Sequence, residues 1–210
     1  MKYDLYVVTD EGLSRGKTHV EIAREAVAGG ADVIQLRDKN MDSASLYAAA
    51  CEISKICKDK ALFFVNDRLD IALAAGADGV HVGQSDLPAG VVRRIVPKDF
   101  LIGVSVGSVE EAEKAVADGA DYVAVSPVFS TASKSDAGDG HGLEIAQAIC
   151  EAVSVPVVGI GGLNKENIAE VIKAGIDGIA VISAVVSQED ISASAAELSA
   201  IIAEAKIAYE

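Results

Sequence analysis

Two aspartates and three basic residues stand out in this acidic chain: Asp67 and Asp86, then Arg37, Lys39 and Lys134. Asp67 and Asp86 each follow a short apolar run, one structural repeat apart, which places them at the ends of neighbouring strands. Two carboxylates so placed can share one divalent ion. Mg²⁺ is the expected occupant, because a hard ion takes one or two protein carboxylates and fills its shell with water and phosphate oxygens. Equally open from spacing is that Asp67 caps the next helix and pairs with Arg68. Arg grips phosphate with a planar fork and Lys supplies a mobile point charge. Arg37, Lys39 and Lys134 together therefore point to a polyanionic ligand; singly, each reads as a solvated surface charge.

A second anion site is suggested by Gly159-Ile160-Gly161-Gly162-Leu163-Asn164, where glycines free backbone N–H groups before a helix. Ile182-Ser183-Ala184 follows the next apolar run and belongs beside it. Three histidines carry less. His19 reads as a helix start, and His141 lies in or beside a polar loop. His81 alternates with Val80 and Val82, so it points into a core, held there by neighbours or acting as a base.

The elements that position these groups come from a repeated phrase. Gly30-Ala31-Asp32, Gly76-Ala77-Asp78, Gly119-Ala120-Asp121 and Gly175-Ile176-Asp177 each follow a helical pattern and precede an apolar run. Each marks a helix-to-strand turn, with its aspartate as a turn or cap residue. Eight strand-like runs appear, near residues 4–9, 32–36, 62–65, 79–82, 101–105, 122–126, 155–159 and 178–182. Between them, stretches such as 18–28, 43–58, 109–117, 165–174 and 192–208 repeat apolar residues at helical spacing. Strict alternation, a count of eight and no GxGxxG after the first strand predict a single α/β domain over 1–210, a (β/α)8 TIM barrel. Sites in such barrels form where strands end, which is where the polar residues fall. One long irregular segment, 130–142, would lie over that face.

Half the chain is apolar, yet it holds only five tyrosines, four phenylalanines and no tryptophan, which predicts a core carried by aliphatic side chains. A net charge of −14 argues against nucleic acid or an anionic membrane as partner. Small-molecule ligands are expected instead. The N-terminus lacks the pattern of a signal peptide, and no apolar stretch is long enough to span a bilayer. Cys51, Cys57 and Cys150 have no metal-like spacing and read as reduced thiols, so a cytoplasmic protein is expected.

Several segments together resemble one family. Gln35-Leu36-Arg37-Asp38-Lys39, Val65-Asn66-Asp67-Arg68, Val80-His81-Val82-Gly83-Gln84-Ser85-Asp86 and Gly159-Ile160-Gly161-Gly162 occur in order, with Gly103-Val104-Ser105 and Pro127-Val128-Phe129 between them. The chain resembles the thiamine phosphate synthases, nearly end to end. The resemblance implies coupling of a hydroxymethylpyrimidine diphosphate with a hydroxyethylthiazole phosphate, giving thiamine phosphate and pyrophosphate by a dissociative route. It implies that Asp67 and Asp86 hold Mg²⁺, and that Gln35, Leu36, Arg37, Asp38 and Lys39, with Asn66, Ser105 and Lys134, bind the pyrimidine diphosphate. Arg37, Lys39, Lys134 and Ser105 would be catalytic. Thr131, Ala132 and Ser133, with Gly162, Ile182 and Ser183, would receive the thiazole phosphate. A homodimer is plausible on the same ground.

Two departures accompany the resemblance: Ser133 stands where the family usually has a second threonine, and Ser126 where glycine is common. The related thiazole tautomerases are the main alternative. Their histidine would fall after Val104-Ser105-Val106, where this chain has Gly107. A phosphosugar epimerase lacks an evident acid and base pair here, and a silent barrel that only binds thiamine phosphate has no need of the charged residues.

Overall fold

The computed structural model describes residues 2–131, 133 and 140–209. Eight parallel strands close into one barrel in sequence order, β1 pairing with both β2 and β8. The first half comprises β1 (Leu5–Val8), α1 (His19–Ala28), β2 (Val33–Leu36), α2 (Ser43–Cys57), β3 (Leu62–Asn66), α3 (Leu69–Ala75), β4 (Gly79–Val82) and α4 (Ala89–Ile95). The second comprises β5 (Leu101–Val106), α5 (Val109–Ala117), β6 (Tyr122–Val125), α6 (Gly142–Ala152), β7 (Val157–Ile160), α7 (Ile168–Lys173), β8 (Gly178–Val181), α8 (Ser183–Val186) and α9 (Ile191–Tyr209). Among the described residues no helix is long and apolar enough to cross a membrane.

The repeated Gly-x-Asp phrase has a specific task. Its glycines take the left-handed turn, with φ of 92°, 67°, 93° and 96° at Gly30, Gly76, Gly119 and Gly175, a region glycine enters without steric cost. Each aspartate then reaches back one strand. Asp32 accepts from the Leu5 N–H at 3.1 Å, Asp78 from Phe63 at 2.8 Å, Asp121 from Ile102 at 2.7 Å and Asp177 from Val157 at 2.7 Å. These four carboxylates bind N–H groups at or near the starts of β1, β3, β5 and β7. They staple neighbouring strands on the face away from the polar strand ends.

The starts of α1, α2 and α5 carry ordinary side-chain caps. Thr18 and Glu21 form a reciprocal box on α1, Asp42 accepts from two N–H groups of α2, and Ser108 caps α5. Two boundaries differ from the apolar pattern. Pro156 has no N–H for the ladder, and β7 begins only after it. The helix expected from 165 begins at Ile168, because Asn164 and Asn167 bind the N–H groups of Glu166 and Asn164 in a local turn.

The layer between barrel and helices is aliphatic, as expected, with Ile22, Ile34, Leu46, Ile53, Ile102 and Ile149 fully buried. The barrel interior departs from that expectation. Tyr6, Phe64 and Tyr122 pack there as rings, with Tyr3 beneath, at centroid distances of 4.9 to 6.2 Å. Glycines opposite them make the room. A Cβ at Gly103 would stand 2.1 Å from Cζ of Tyr122, and one at Gly79 2.5 Å from the Phe64 ring. Four of the nine aromatics, Tyr3, Tyr6, Phe64 and Tyr122, gather there.

Candidate active site

The polar strand ends open into two adjoining cavities, of about 410 Å³ and 420 Å³. The first lies over β2 to β5 and is lined by Arg37, Lys39, Asn66, Asp67, Asp86 and Ser105. The second lies over β6 to β8 and is lined by Thr131, Ser133, Gly161, Gly162, Ile182 and Ser183. Ser126, just past β6, borders both.

In the charged cavity, Asp67 follows β3 with φ of 60°, a conformation that Asp and Asn tolerate better than most residues. Its own N–H is tied to the His81 carbonyl at 2.8 Å. Asp86 is fixed from the other side, accepting from the Gly83 N–H at 2.7 Å. Burial and the neighbouring Asp86 carboxylate push the Asp67 carboxyl up from 3.8 to about 6, against the pull of Lys39 and Arg37. Asp67 does not serve as a cap. Arg68 gives its guanidinium to Asp70, at 2.9 and 2.6 Å, and to Ser43 at 3.0 Å. The N-terminus of α3 has no side-chain cap.

Two neighbouring carboxylates, with the ionised form of Asp67 disfavoured by burial and by Asp86, are a donor set suited to a hard cation that also binds phosphate oxygens. Among the described residues no group of three or more His, Cys, Asp or Glu is assembled to hold a metal.

The segment carrying Arg37 and Lys39 is held from below. The Arg37 N–H donates to Thr9 Oγ1 at 3.3 Å, and Thr9 also bonds His19 Nδ1 at 2.7 Å. Asp38 turns away from the cavity. It accepts from the Asn40 and Met41 N–H groups at 2.7 and 2.8 Å and meets His19 Nε2 at 3.2 Å. Burial raises the Asp38 carboxyl, but these bonds outweigh it and hold it below the ordinary range. Asp38 organises the segment. Leu36 is fully buried in the barrel wall, and Gln35 gives its amide nitrogen to Tyr6 inside the barrel.

Residues that sequence reasoning left without a role also border this cavity. Gln84 donates to the Ser105 carbonyl at 2.8 Å, and Glu111 accepts from the Gly107 N–H at 2.7 Å. His141 reaches over from the start of α6, its Nε2 3.2 Å from the Ser126 carbonyl oxygen. A Cβ at Gly107 would meet the His141 ring at 2.8 Å. The space a side chain at 107 would enter is thus occupied from the start of α6. Nothing in the local sequence around His141 signals that crossing.

Among the described residues the lining of the second cavity carries no charged side chain and includes several hydroxyls. Ser133 donates its hydroxyl to Ser183 at 3.1 Å, tying the segment after β6 to the end of β8. The Ser133 N–H donates to Thr131 Oγ1 at 3.2 Å. Gly161 and Gly162 have φ of 104° and 65° and pass close under Pro127 and Phe129, where a Cβ would lie 2.5 and 2.8 Å from neighbouring atoms. Lys134 and Ala132 lie outside the described residues.

A closed parallel (β/α)8 barrel with two adjoining cavities at its strand ends is the architecture in which barrel enzymes place their sites. Within that class, the chain belongs to the thiamine monophosphate synthase family, whose sequence profile matches residues 5–185. It is 60% identical over 207 residues to the thiamine-phosphate synthase of Methanoculleus marisnigri, covering 98% of each chain. It is 58% identical over 208 residues to that of Methanocella arvoryzae, covering 99% of this chain and 98% of the other. The solved thiamine phosphate pyrophosphorylase of Pyrococcus furiosus superposes with a TM-score of 0.90 at 46% identity, over 97% of this chain and 96% of that one. A 3-hexulose-6-phosphate synthase, at 23% identity and a TM-score of 0.71, shares the fold.

Proposed function

We propose that this chain is a thiamine phosphate synthase, joining a hydroxymethylpyrimidine diphosphate to a hydroxyethylthiazole phosphate with release of pyrophosphate. The observation that carries this reading is the pair of adjoining cavities of nearly equal volume that share Ser126. One is cationic and acidic together, which suits a diphosphate; the other offers glycine N–H groups and hydroxyls, which suit a monophosphate. Ligands in the two would meet at Ser126.

In the dissociative route, the bond from the pyrimidine methylene carbon to the diphosphate oxygen breaks, and its electron pair leaves with pyrophosphate. The positive charge left behind spreads over the aminopyrimidine. The thiazole nitrogen then gives its lone pair to the methylene carbon, forming the new C–N bond. The protein's part is to accept leaving charge and align two rings. Arg37 and Lys39 neutralise the departing diphosphate, and the family resemblance gives Lys134 the same task. Asn66 and Ser105 orient the pyrimidine, and Gly162, Ser133 and Ser183 anchor the thiazole phosphate. Asp67 and Asp86 would hold Mg²⁺, which supplies further positive charge against the diphosphate oxygens.

The glycine at 107 favours this reading over proton transfer on the thiazole, which would place a histidine there. A cytoplasmic setting is part of the proposal, supported by three unpaired cysteines. So is a homodimer, supported by family resemblance and checked by light scattering. The deciding assay is formation of thiamine phosphate and pyrophosphate from the two purified substrates, with Mg²⁺ and then with chelator. Metal-dependent product is expected. No product from folded protein and verified substrates overturns the reading.

A further inference from the structure

Below the charged cavity, side chains from five strands join in one unbroken line of hydrogen bonds. Gln35 on β2 donates from Nε2 to the Tyr6 hydroxyl on β1 at 2.6 Å. The Tyr6 and Tyr122 hydroxyls lie 2.8 Å apart, and that of Tyr122, on β6, lies 2.7 Å from His81 Nδ1 on β4. His81 Nε2 then lies 2.8 Å from Ser105 Oγ on β5. Tyr6 and Tyr122 are sealed from solvent, and Gln35 and His81 nearly so. Among the described residues no buried side-chain nitrogen or oxygen lacks a partner. Ser105 carries the line out to the cavity wall.

With every buried hydroxyl hydrogen on the line bonded, the direction of each bond follows from the first donor. An amide nitrogen gives hydrogens and takes none. The Tyr6 oxygen therefore accepts from Gln35, and the hydrogen of Tyr6 passes to Tyr122. The hydrogen of Tyr122 in turn goes to His81 Nδ1. An imidazole accepting at Nδ1 carries its hydrogen at Nε2, and so donates to Ser105 Oγ. Ser105, having accepted from inside, keeps its own hydrogen for the cavity. Burial raises both phenols above their ordinary range, so they remain neutral donors near neutral pH. Gly103 leaves the space in which the Tyr122 hydroxyl sits.

We propose that this line fixes Ser105 as a hydrogen donor to an acceptor atom of the ligand in the charged cavity, with Tyr122, His81 and Tyr6 as positioning residues acting through it. The inference rests on the synthase reading of that cavity. A serine hydroxyl in open solvent rotates between donor and acceptor roles. Here the choice is made before the ligand arrives, so none of the binding free energy is spent on ordering it.

The test is a double-mutant cycle on kcat/KM for the pyrimidine diphosphate, comparing Ser105→Ala, Tyr122→Phe and both together. Each single change is expected to lower kcat/KM about tenfold, in keeping with the loss of one oriented hydrogen bond. Tyr122→Phe is expected to add less than about twofold once Ser105 is Ala, because it acts through that hydroxyl. Two losses that multiply in the double variant overturn the proposal, as does a lower Tm for Tyr122→Phe with unchanged kinetics. If Tyr122→Phe does not fold, Tyr6→Phe replaces it, cutting the line one residue earlier.

Inhibition by inorganic pyrophosphate separates the two kinds of acceptor. It weakens in Ser105→Ala if the acceptor is a phosphoryl oxygen and is unchanged if it is a pyrimidine ring nitrogen. A readout independent of turnover is the nitrogen-15 spectrum of the imidazoles. His81 is expected to carry its hydrogen on Nε2 in the unaltered protein and to mix tautomers in Tyr122→Phe. Hydrogen on Nδ1 overturns the line's direction even in an active enzyme. An inactive protein with the expected tautomer overturns the synthase reading instead.

Discussion

Replacing Asp67 by Asn should make the metal-free protein more stable while weakening its response to Mg²⁺. Asp67 rises from 3.8 to about 6 because burial and the Asp86 carboxylate oppose its ionised form. At about 1.4 kcal/mol for each tenfold change in proton affinity, that corresponds to about 3 kcal/mol as an upper bound. Asp67 is only partly buried, and solvent screening reduces the expected effect to about 1 kcal/mol. The sign follows from proton linkage. Between pH 3.8 and about 6 the folded protein binds more protons than the unfolded chain, so the contribution of Asp67 is favourable below that window. It is lost as pH rises through about 6. Asn keeps the shape and tolerates the left-handed backbone at φ 60°.

Thermal melting without metal at pH 7.5 should therefore place Asp67→Asn about 2–4 °C above the unaltered protein. The gap should close as pH falls toward 4. Saturating Mg²⁺ should reverse the order, since a ligand present at a hundred times its Kd adds about 2.7 kcal/mol to the form that binds it. Equal melting temperatures at pH 7.5, or a gap that ignores pH, would refute the reasoning about the carboxylate pair. An unchanged response to Mg²⁺ would refute its role as the metal site.

Three further outcomes follow from the geometry. Gly103→Ala puts a methyl group about where the Tyr122 ring ends, and should cost about 3 kcal/mol or more of stability by denaturant melting; retention of full stability would show that the barrel interior is not packed as described. Gly162→Ala must hold φ of 65° and push Phe129 aside, so steady-state kinetics should show a raised KM for the thiazole phosphate, several-fold or more, with little change in KM for the pyrimidine diphosphate. Lys134→Ala should lower kcat about a hundredfold or more while leaving Tm within a degree or two; full activity would remove Lys134 from the leaving-group site.

Much of the fold was legible because the repeated Gly-x-Asp phrase needs no distant partner to declare itself: a left-handed glycine and a short acceptor are local demands. Four such turns, set among eight strand-like runs that alternate with helices, lead to one closed barrel. The strand ends were legible for the same reason, since polar residues directly after apolar runs stand out wherever they occur. That reading brought Arg37, Lys39, Asn66, Asp67, Asp86 and Ser105 to one cavity.

Contacts between strands were decided by the tertiary structure, because they depend on barrel register and not on sequence spacing. Asp38 looked like its neighbours Arg37 and Lys39, yet it turns inward to His19, which comes from a different element. The choice between an Asp67 cap and an Asp67–Asp86 pair was open by spacing, and the bond of Arg68 to Asp70 settled where that guanidinium goes. His81 was readable as inward-facing from its alternation with valines. Its partners Tyr122 and Ser105 lie 41 and 24 residues away in sequence, and only the closed barrel sets them within 3 Å of one imidazole.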